Sequence, residues 1–460
     1  MKNILYTIIF IFLFSFSVFA DFQAGKDAYV RGDFQTALKN WKPLAEQGNI
    51  EAQINLGVMY YKGVGVTQDN KEAVKWYRLA AEQGYARAQH NLGFMYDKGK
   101  GVTQDNKEAV KWYRLAAEQG YARAQHNLGF MYDKGKGVTQ DYKEAMKWYR
   151  LAAELGLASA QHNLGVMYDD GRGVTQDYKE AMKWLRLAAE QGHVQAQNNL
   201  GAMYFLGDVV KKDLIIAHMW FNIAASSGFE EAKKARDAAE NIMTPEQIAK
   251  AQELALEQMG RDAYNAGDFQ TALKNWKPLA EQGNVRAQIN LYIMYSSGEG
   301  VTQDDKEATR WLRLAVEQED AEAQYELGSG YELGVGGHTQ EYKEAMKWYR
   351  LAAEQGYVFA QYRLASMYNK GKGVIKDYVI AYMWYNVGDI TRGTDLSADR
   401  GWKKKLVKKM TPEQIAKAQE LAHECIKNNY KDCEQLNIFQ KLKNFLMNVL
   451  KIITRTAVNS

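Results

Sequence analysis

Histidine is the side chain here with the clearest potential for chemistry, because imidazole can bind a metal or carry a proton near neutral pH. The chain has seven histidines, and three of them, His90, His126 and His162, stand 36 residues apart. Zinc ligands must lie about 2.0–2.1 Å from the metal, whereas equivalent places on stacked helices start from axes about 8–10 Å apart. No second ligand recurs at a suitable spacing. The pattern therefore predicts no metal site, and it indicates a polar ladder on an exposed face instead.

Paired carboxylates, which can act as general acid and base, occur at Asp169-Asp170 and Asp304-Asp305. Both pairs lie at loop or cap positions, where local helix capping explains them. The strings S-x-x-K, K-T-G, H-E-x-x-H and G-x-S-x-G and a phosphate-binding glycine loop are absent from the sequence. We therefore predict no catalytic residue and no cofactor.

The two cysteines, Cys425 and Cys433, are the only ones in the chain. In an oxidising compartment an isolated pair favours a disulfide. Along an unbroken helix eight residues span about 12 Å, beyond the ~7 Å that a disulfide allows between Cα atoms. A disulfide therefore requires a turn, for which Asn428-Asn429 is suited; the alternative is two free thiols.

The elements that must position these residues come from one repeated stretch. Residues 88–120 return nearly unchanged 36 residues later, and a tryptophan follows the same period from Trp76 to Trp220. A fixed period of this length is typical of one supersecondary unit stacked on copies of itself. No copy could bury its aromatic residues alone, so we expect stability to come from stacking. The fold class is an all-α solenoid.

Each copy is predicted to form two antiparallel helices. The apolar stripe of the first helix is Ala88, Leu92, Met95 and Tyr96. The buried face of the second helix is Ala109, Trp112, Tyr113, Ala116 and Ala117. Gly99 and Gly101 suit the exit from the first helix, and Gly120 ends the second. Asp105 and Glu108 predict a capping box at the start of the second helix.

At these residues the chain resembles a known family. The pattern A-x-x-x-L-G-x-M-Y-x-x-G-x-G-V-x-x-D-x-x-K-E-A-x-x-W-Y-x-x-A-A-x-x-G is similar to the Sel1-like repeat, a relative of the tetratricopeptide repeat with a longer inter-helix loop. The resemblance covers most of residues 22–433. It implies a scaffold for protein–protein contact, which in bacteria is often exported and linked to the envelope or to host interaction.

Residues 1–20 are typical of a secretory signal peptide. Lys2 supplies a positive charge, Ile4 to Phe14 an apolar run, and Val18-Phe19-Ala20 a cleavage site before Asp21. The alternative is a membrane anchor, but the apolar run is shorter than the ~20 residues that span a bilayer. We predict export to the periplasm or the medium.

The repeats are predicted to fall into two arrays. The first occupies residues 22–258, with units at about 50–85, 86–121, 122–157, 158–193 and 194–229. The second occupies residues 259–433, with units at about 285–320, 321–357 and 358–389. Residues 267–284 repeat residues 32–49 without a change, and MTPEQIAKAQELA closes each array. Two lobes are favoured over one bent superhelix.

Residues 434–460 form a basic amphipathic segment. From Gln435 onward it has no acidic residue, and one helical face is apolar: Ile438, Leu442, Phe445, Leu446, Val449 and Ile453. Such a helix could contact an anionic membrane surface or a partner groove. The alternative is a last helix that packs on the end of the solenoid.

The first helices have a further face beside the apolar stripe. By resemblance to tetratricopeptide repeats this face lines a concave groove that binds a partner. Its central residues are Arg87, His90, Phe94, Asp97, Arg123, His126, Phe130, Asp133, His162 and Asp169. The flanking units place Ile54, Val58 and Tyr61, or Asn198, Ala202 and Phe205, there and make its ends more apolar. We expect the phenylalanines to supply apolar contacts and the charged residues to set register; the alternative is a solvated face without a ligand.

The composition agrees with a binding protein of this kind. With 46% hydrophobic residues and 4 prolines in 460 residues, a large helical core can form. A net charge of +4 is too small to imply nucleic acid. We predict an exported, non-enzymatic scaffold that binds a protein or peptide. The alternatives are a structural envelope component and a cell-envelope hydrolase, because some cysteine-rich Sel1-like proteins have been assigned penicillin-binding or β-lactamase activity.

Overall fold

The computed structural model describes residues 21–207, 210–393 and 401–436. Within these ranges the regular secondary structure is helical, and no strand is present. The predicted all-α repeat fold is therefore confirmed. The chain divides into two compact units, Met1–Gln252 and Glu253–Ser460, and each is described by itself.

The first unit is a series of helices in which each packs against its neighbours in sequence. Residues 21–30 form α1. The following helices are α2 Phe34–Glu46, α3 Ile50–Lys62, α4 Asn70–Glu82, α5 Ala86–Lys98, α6 Asn106–Glu118, α7 Ala122–Lys134, α8 Tyr142–Glu154, α9 Ala158–Asp170, α10 Tyr178–Glu190, α11 Val194–Leu206, α12 Leu214–Ser226 and α13 Glu230–Glu240. The boundary between the units lies within α14, Pro245–Asn265, and the predicted array boundary after residue 258 lies in the same helix.

The second unit continues in the same manner. Its helices are α15 Phe269–Glu281, α16 Val285–Ser297, α17 Asp305–Val316, α18 Ala321–Leu333, α19 Tyr342–Glu354, α20 Val358–Lys370, α21 Tyr378–Thr391, α22 Gly401–Val407 and α23 Pro412–Lys427. Residues 433–436, the last that are described, are also helical.

The core of the hairpin formed by α5 and α6 consists of the predicted residues, with one exception. In α5 the buried residues include Ala88, Leu92 and Met95, and α6 buries its whole predicted face. Burying a side chain such as leucine or methionine contributes roughly 1.5–3 kcal/mol, so the repeated strip is the main source of stability. Tyr96, predicted to share the stripe, is only half-buried, and its hydroxyl accepts a hydrogen bond from Arg78 Nη2 at 2.7 Å.

Two glycines set how closely the helices approach. A Cβ at Gly93 would lie 2.8 Å from Cδ1 of Tyr113, so this glycine allows α5 and α6 to pack within one hairpin. Gly101 has φ +71°, and a Cβ there would lie 2.2 Å from the carbonyl oxygen of Asn70 in the preceding repeat. The loop glycine is therefore needed for its left-handed backbone and also for contact between repeats.

The predicted capping box at Asp105 is only half formed. Asp105 Oδ1 accepts from the backbone N–H groups of Lys107 and Glu108 at 2.9 and 3.1 Å. The N–H of Asp105, which the second half of the box requires, instead donates to the carbonyl of Tyr96 at 3.1 Å. This bond ties the loop to the first helix. The reciprocal box is complete at the closing helices, as between Thr411 and Gln414.

The second unit contains a disulfide near its end. It joins Cys425, in α23, to Cys433, with the Cα atoms 4.8 Å apart, and α23 ends between them at Lys427, as the sequence required. Glu434 follows the disulfide and accepts hydrogen bonds from Arg350 Nη2 at 2.6 Å and Trp384 Nε1 at 3.3 Å. The turn closed by the disulfide thus holds a carboxylate against two core helices.

Two predicted segments lie outside the described residues: the signal peptide at residues 1–20 and all but the first three residues of the segment 434–460. Among the helices that the structure does describe, none is long and apolar enough to cross a membrane.

Candidate partner-binding face

The side chains predicted to line a groove lie on α5, α7 and α9, at corresponding places of each helix. We call the surface that they form the first-helix face. Its members are Arg87, His90, Phe94, Asp97, Arg123, His126, Phe130, Asp133, His162 and Asp169. Several of them contact one another or their neighbours across repeat boundaries.

The histidines of the first-helix face are joined across repeats by asparagines. Asn127 Nδ2 lies 3.2 Å from His90 Nε2, and Asn163 Nδ2 lies 3.1 Å from His126 Nε2. In the same way, Asn199 Nδ2 lies 3.4 Å from His162 Nε2. The predicted polar ladder is present, but its members are half-buried and alternate with asparagines that the sequence analysis did not single out.

The partners of each imidazole determine its protonation. Nδ1 of His90 lies 3.3 Å from Asn91 Oδ1, so it is the nitrogen that donates, and Nε2 accepts from an amide N–H. This arrangement requires a neutral ring. Burial lowers the pKa of His90 to about 4, although the hydrogen bond to Asn91 opposes the shift. Burial also lowers the pKa of His126 and of His162.

The ladder ends in a pair of stacked imidazoles. His162 and His193 have ring centres 4.6 Å apart, and burial together with the neighbouring His162 lowers the pKa of His193 to about 4. Asp169, in the same repeat as His162, is half-buried, and burial and then Asp170 raise the pKa of its carboxyl group.

The two phenylalanines of the face are half-buried and lie under lysines. Lys100 Nζ lies 5.7 Å from the ring centre of Phe94 and 4.9 Å from that of Tyr61. These two rings meet edge to face at 6.1 Å. Lys136 Nζ lies 5.3 Å from the ring centre of Phe130. Each ring is therefore in a cation–π contact and retains apolar surface that a partner could cover.

The aspartates and arginines of the face differ in their availability. Asp97 and Asp133 are 8% and 6% exposed. Lys98 Nζ lies 2.8 Å from Asp97, and Arg172 Nη1, in the loop of the next repeat, lies 3.0 Å from Asp133. These carboxylates are thus engaged within the chain, which differs from the expectation that they contact a partner. Arg87 is exposed and forms no ion pair with any described residue.

Beyond the ladder, the face continues into a cavity of about 490 Å³ at the start of the first unit. Ile54 and Val58, which the sequence placed on the flanking part of the face, line this cavity together with residues of α1. At the other flank, Lys212 Nζ lies 5.1 Å from the ring centre of Phe205. The apolar flanks are therefore also bordered by cations.

A second polar ladder was missed by the sequence analysis. Gln89 is 4% exposed; its Nε2 donates to the carbonyl of Ala81 at 3.3 Å, and its Oε1 accepts from Gln119 Nε2 at 2.8 Å. It thereby joins two repeats. The corresponding donors to a preceding alanine carbonyl are Gln53, Gln125, Gln161, Gln197, Gln288 and Gln361. The available signal was a glutamine that recurs directly after the first alanine of the apolar stripe, in the pair A-Q.

In the described part of the chain, no group of three or more histidine, cysteine, aspartate or glutamate side chains is placed to hold a metal ion. Both ring nitrogens of His90 and of His126 have amide partners instead. The chemistry that this surface supports is recognition through aromatic, cationic and amide groups.

Comparison with known proteins identifies the repeat. The family model described as Sel1 repeat matches residues 50–85, 86–121, 122–157, 158–193, 194–229, 285–320, 321–357 and 358–386. These matches agree with the units read from the period, apart from the end of the last one. No curated protein matches the chain.

Solved structures that are similar to this chain include Sel1 repeat proteins. A protective antigen of uropathogenic Escherichia coli strains that displays an SLR fold is 32% identical, covering 87% of this chain and 97% of its own, with a TM-score of 0.44. A Sel1 repeat protein from Oxalobacter formigenes is 36% identical, covering 51% of this chain and 98% of its own, with a TM-score of 0.46.

Proposed function

The chain belongs to the Sel1 repeat family, and on that premise we propose that it is an exported, non-enzymatic scaffold that binds a protein or peptide segment along the first-helix face. Sel1 repeat proteins typically mediate protein–protein interaction, and the solenoid fold is generally a non-enzymatic scaffold. For this chain we add two points: the partner binds on the first-helix face, and the protein acts outside the cytoplasm.

One observation carries the choice of surface. The side chains of the first-helix face are linked from repeat to repeat, by the histidine–asparagine ladder and by the contact between Tyr61 and Phe94. They are therefore held in place before a partner arrives, which reduces the entropy cost of binding. An extended segment that crossed these repeats would meet similar chemistry at each one.

The first test replaces both aromatic contacts. We expect Phe94→Ala combined with Phe130→Ala to weaken partner binding by roughly tenfold or more, since truncating a central aromatic contact costs about 1–2 kcal/mol or more. Helical circular dichroism should be unchanged, because both rings are only half-buried. The partner would be captured by photo-crosslinking in the native cell and then titrated against the purified chain.

The matched control is Leu115→Ala combined with Leu151→Ala. These leucines are 39% and 38% exposed and lie on second helices of neighbouring repeats, so the control removes similar apolar surface from another face. If the control loses as much affinity as the phenylalanine pair, or if the phenylalanine pair binds normally, the first-helix face is not the binding surface.

Export is the second part of the proposal. It is supported by the charge, apolar run and small-residue site of residues 1–20. Cell fractionation should recover the protein in the periplasm or the medium, with Asp21 as its first residue. Recovery in the cytoplasm with Met1 retained would exclude this part of the proposal.

A further inference from the structure

The cavity at the start of the first unit has an apolar floor and a cationic rim. Trp41 and Ile54, both 2% exposed, form part of the floor. The rim carries four exposed charged residues: Lys26, Lys62, Arg87 and Glu51. None of these four forms an ion pair with another residue of the described ranges. Three cations thus face one anion around a space of about 490 Å³.

The second unit contains the same local arrangement, 235 residues further on. Residues 32–49 recur there as residues 267–284. Trp276 Nε1 donates to the carbonyl of Glu257 at 3.2 Å, as Trp41 Nε1 donates to the carbonyl of Phe22 at 3.2 Å. The two places share a backbone arrangement, so their side chains can be compared one by one.

In the second unit the chain itself supplies a carboxylate at this place. Glu257 is 8% exposed, and its Oε1 accepts hydrogen bonds from Arg261 Nη2 at 3.0 Å and Arg286 Nη1 at 3.4 Å. In the first unit Lys26 corresponds to Arg261 and keeps the cation, whereas Glu51 corresponds to Arg286 and reverses the charge. Phe22 corresponds to Glu257 and brings no carboxylate, so Lys26 lacks the partner that Arg261 has.

We propose that the first-unit cavity receives from the partner the carboxylate that the second unit takes from its own chain. The occupant is a glutamate or aspartate side chain within a peptide segment, with an apolar neighbour on the floor beside Trp41. The excess of cations on the rim favours an anion, and the floor favours an apolar group. This inference rests on the proposed function, because it names the chemistry of the partner at one end of the binding face.

The test uses two fluorescent heptapeptides, blocked at both ends, and the whole exported chain. In one peptide glutamates alternate with leucine and phenylalanine; in the other, glutamine replaces each glutamate. By fluorescence anisotropy at low salt, we expect the glutamate peptide to bind about three- to tenfold more tightly, a range set by exposed ion pairs. The preference should shrink as salt is added.

Variants of the rim residues test whether the preference for the glutamate peptide arises at this cavity. Lys26→Gln combined with Arg87→Gln should bring the two affinities to within about twofold of each other, as expected when two exposed ion pairs are lost. Lys71→Gln, which removes an exposed lysine that does not line the cavity, should leave the preference unchanged.

A third variant imitates the second unit. Phe22→Glu places a carboxylate where Glu257 lies in the other unit, so it should weaken binding of the glutamate peptide more than Phe22→Gln does. Both variants lose the same ring, and the difference between them therefore reports charge alone. The carboxylate at the carboxyl terminus of a peptide is a second source of such an anion. It is tested with a glutamine peptide whose carboxyl terminus is left unblocked. Tighter binding of that peptide than of the glutamate peptide would overturn the assignment to a side chain.

Equal affinity for the two blocked peptides, or a preference that survives in the Lys26→Gln and Arg87→Gln variant, would overturn the inference. If the two peptides bind equally and Phe94→Ala with Phe130→Ala abolishes both, the proposed function stands and only the acidic specificity fails. If neither peptide binds, the inference also fails, and the crosslinking experiment alone decides the proposed function.

Discussion

The glutamine ladder of the first unit lacks its donor at two places: Leu155 interrupts it, and Ser227 stands at its end. At the end of the second helix, Gln83, Gln119 and Gln191 each donate to the buried glutamine of the same repeat. In the repeat 122–157 this place is taken by Leu155, which is 60% exposed. The carbonyl oxygen of Gln125 is consequently buried, and no described residue donates to it. A buried acceptor without a donor reduces stability.

We predict that Leu155→Gln stabilises the protein. The new side chain can donate to Gln125, and little apolar burial is lost because Leu155 is mostly exposed. The gain should be about 0.5–1.5 kcal/mol, measured as a higher midpoint of thermal or urea unfolding. Leu155→Asn is the control, since its amide is too short to reach. Equal midpoints for the Gln and Asn variants would contradict this role of the ladder.

At the scale of single residues, then, the sequence identified the apolar partners of each helix but not the polar ones. Ala88, Leu92 and Met95 follow from helical spacing alone. Gln89 is next to Ala88 in sequence and equally deep, yet its two partners lie 8 and 30 residues away. A period cannot show whether such a residue faces water or a carbonyl group.

The first helices form an element whose stability depends on pH. Burial holds the pKa of His90 at about 4, against an ordinary value of 6.5, and lowers the pKa of His126 and His162 as well. Below pH 6.5 the unfolded chain binds protons that the folded ladder excludes, so the free energy of unfolding must fall as the pH decreases from about 6.5 toward 4. Above pH 6.5 this contribution is fully present.

We predict that replacing the three ladder histidines by asparagine, the residue that Asn198 places there in a neighbouring repeat, flattens this dependence. The wild type should lose at least about 1 kcal/mol more than the variant through His90 alone, and His126 and His162 should increase the loss, as measured by urea unfolding at pH 7 and pH 5. The aspartate and glutamate side chains titrate in both proteins, so their contribution to the loss of stability cancels when the two proteins are compared. Identical losses would show that the imidazoles are not protected from protons.

The helical hairpin itself was predictable because its determinants are local. Capping residues, exit glycines and the apolar period act within about one helical turn of the groups that they affect. The half-formed capping box shows the limit: Asp105 was identified correctly as a cap, but its N–H donates to Tyr96, nine residues earlier and in another helix.

The array as a whole is modular in its sequence and in its contacts. α5 and α7 have the same thirteen residues, and the residue before each is a tyrosine, Tyr85 or Tyr121. Within the repeats, each helix packs chiefly against its neighbours in sequence. Stability should therefore be close to a sum of repeats and of interfaces between neighbours.

We predict that deleting residues 86–121, one full repeat, leaves a folded protein. The new neighbours, α4 and α7, would meet through the same residue types that α4 and α5 use now. Helical circular dichroism per residue should be unchanged, while the midpoint of unfolding falls modestly because one interface is lost. Deleting residues 86–103 alone is the control: it removes α5 and leaves Trp112 and Tyr113 without a partner helix, so it should yield an insoluble or partly unfolded chain. If both deletions behave alike, stacking is not the source of stability.

The sequence by itself determined the repeat, its two helices, most of the apolar residues that each helix buries, the family and the turn that allows the disulfide. All of these depend on periodicity or on interactions between residues close in the chain. Only the tertiary structure decided which polar side chains of the first-helix face are already engaged, such as Asp133 with Arg172, 39 residues away. It also decided that the surroundings of the two identical segments differ: Glu257 is paired in one, and Phe22 lies beside a rim with an excess of cations in the other. The physical reason is that these pairings depend on the distance and angle at which successive hairpins stack, and neither can be read from a period.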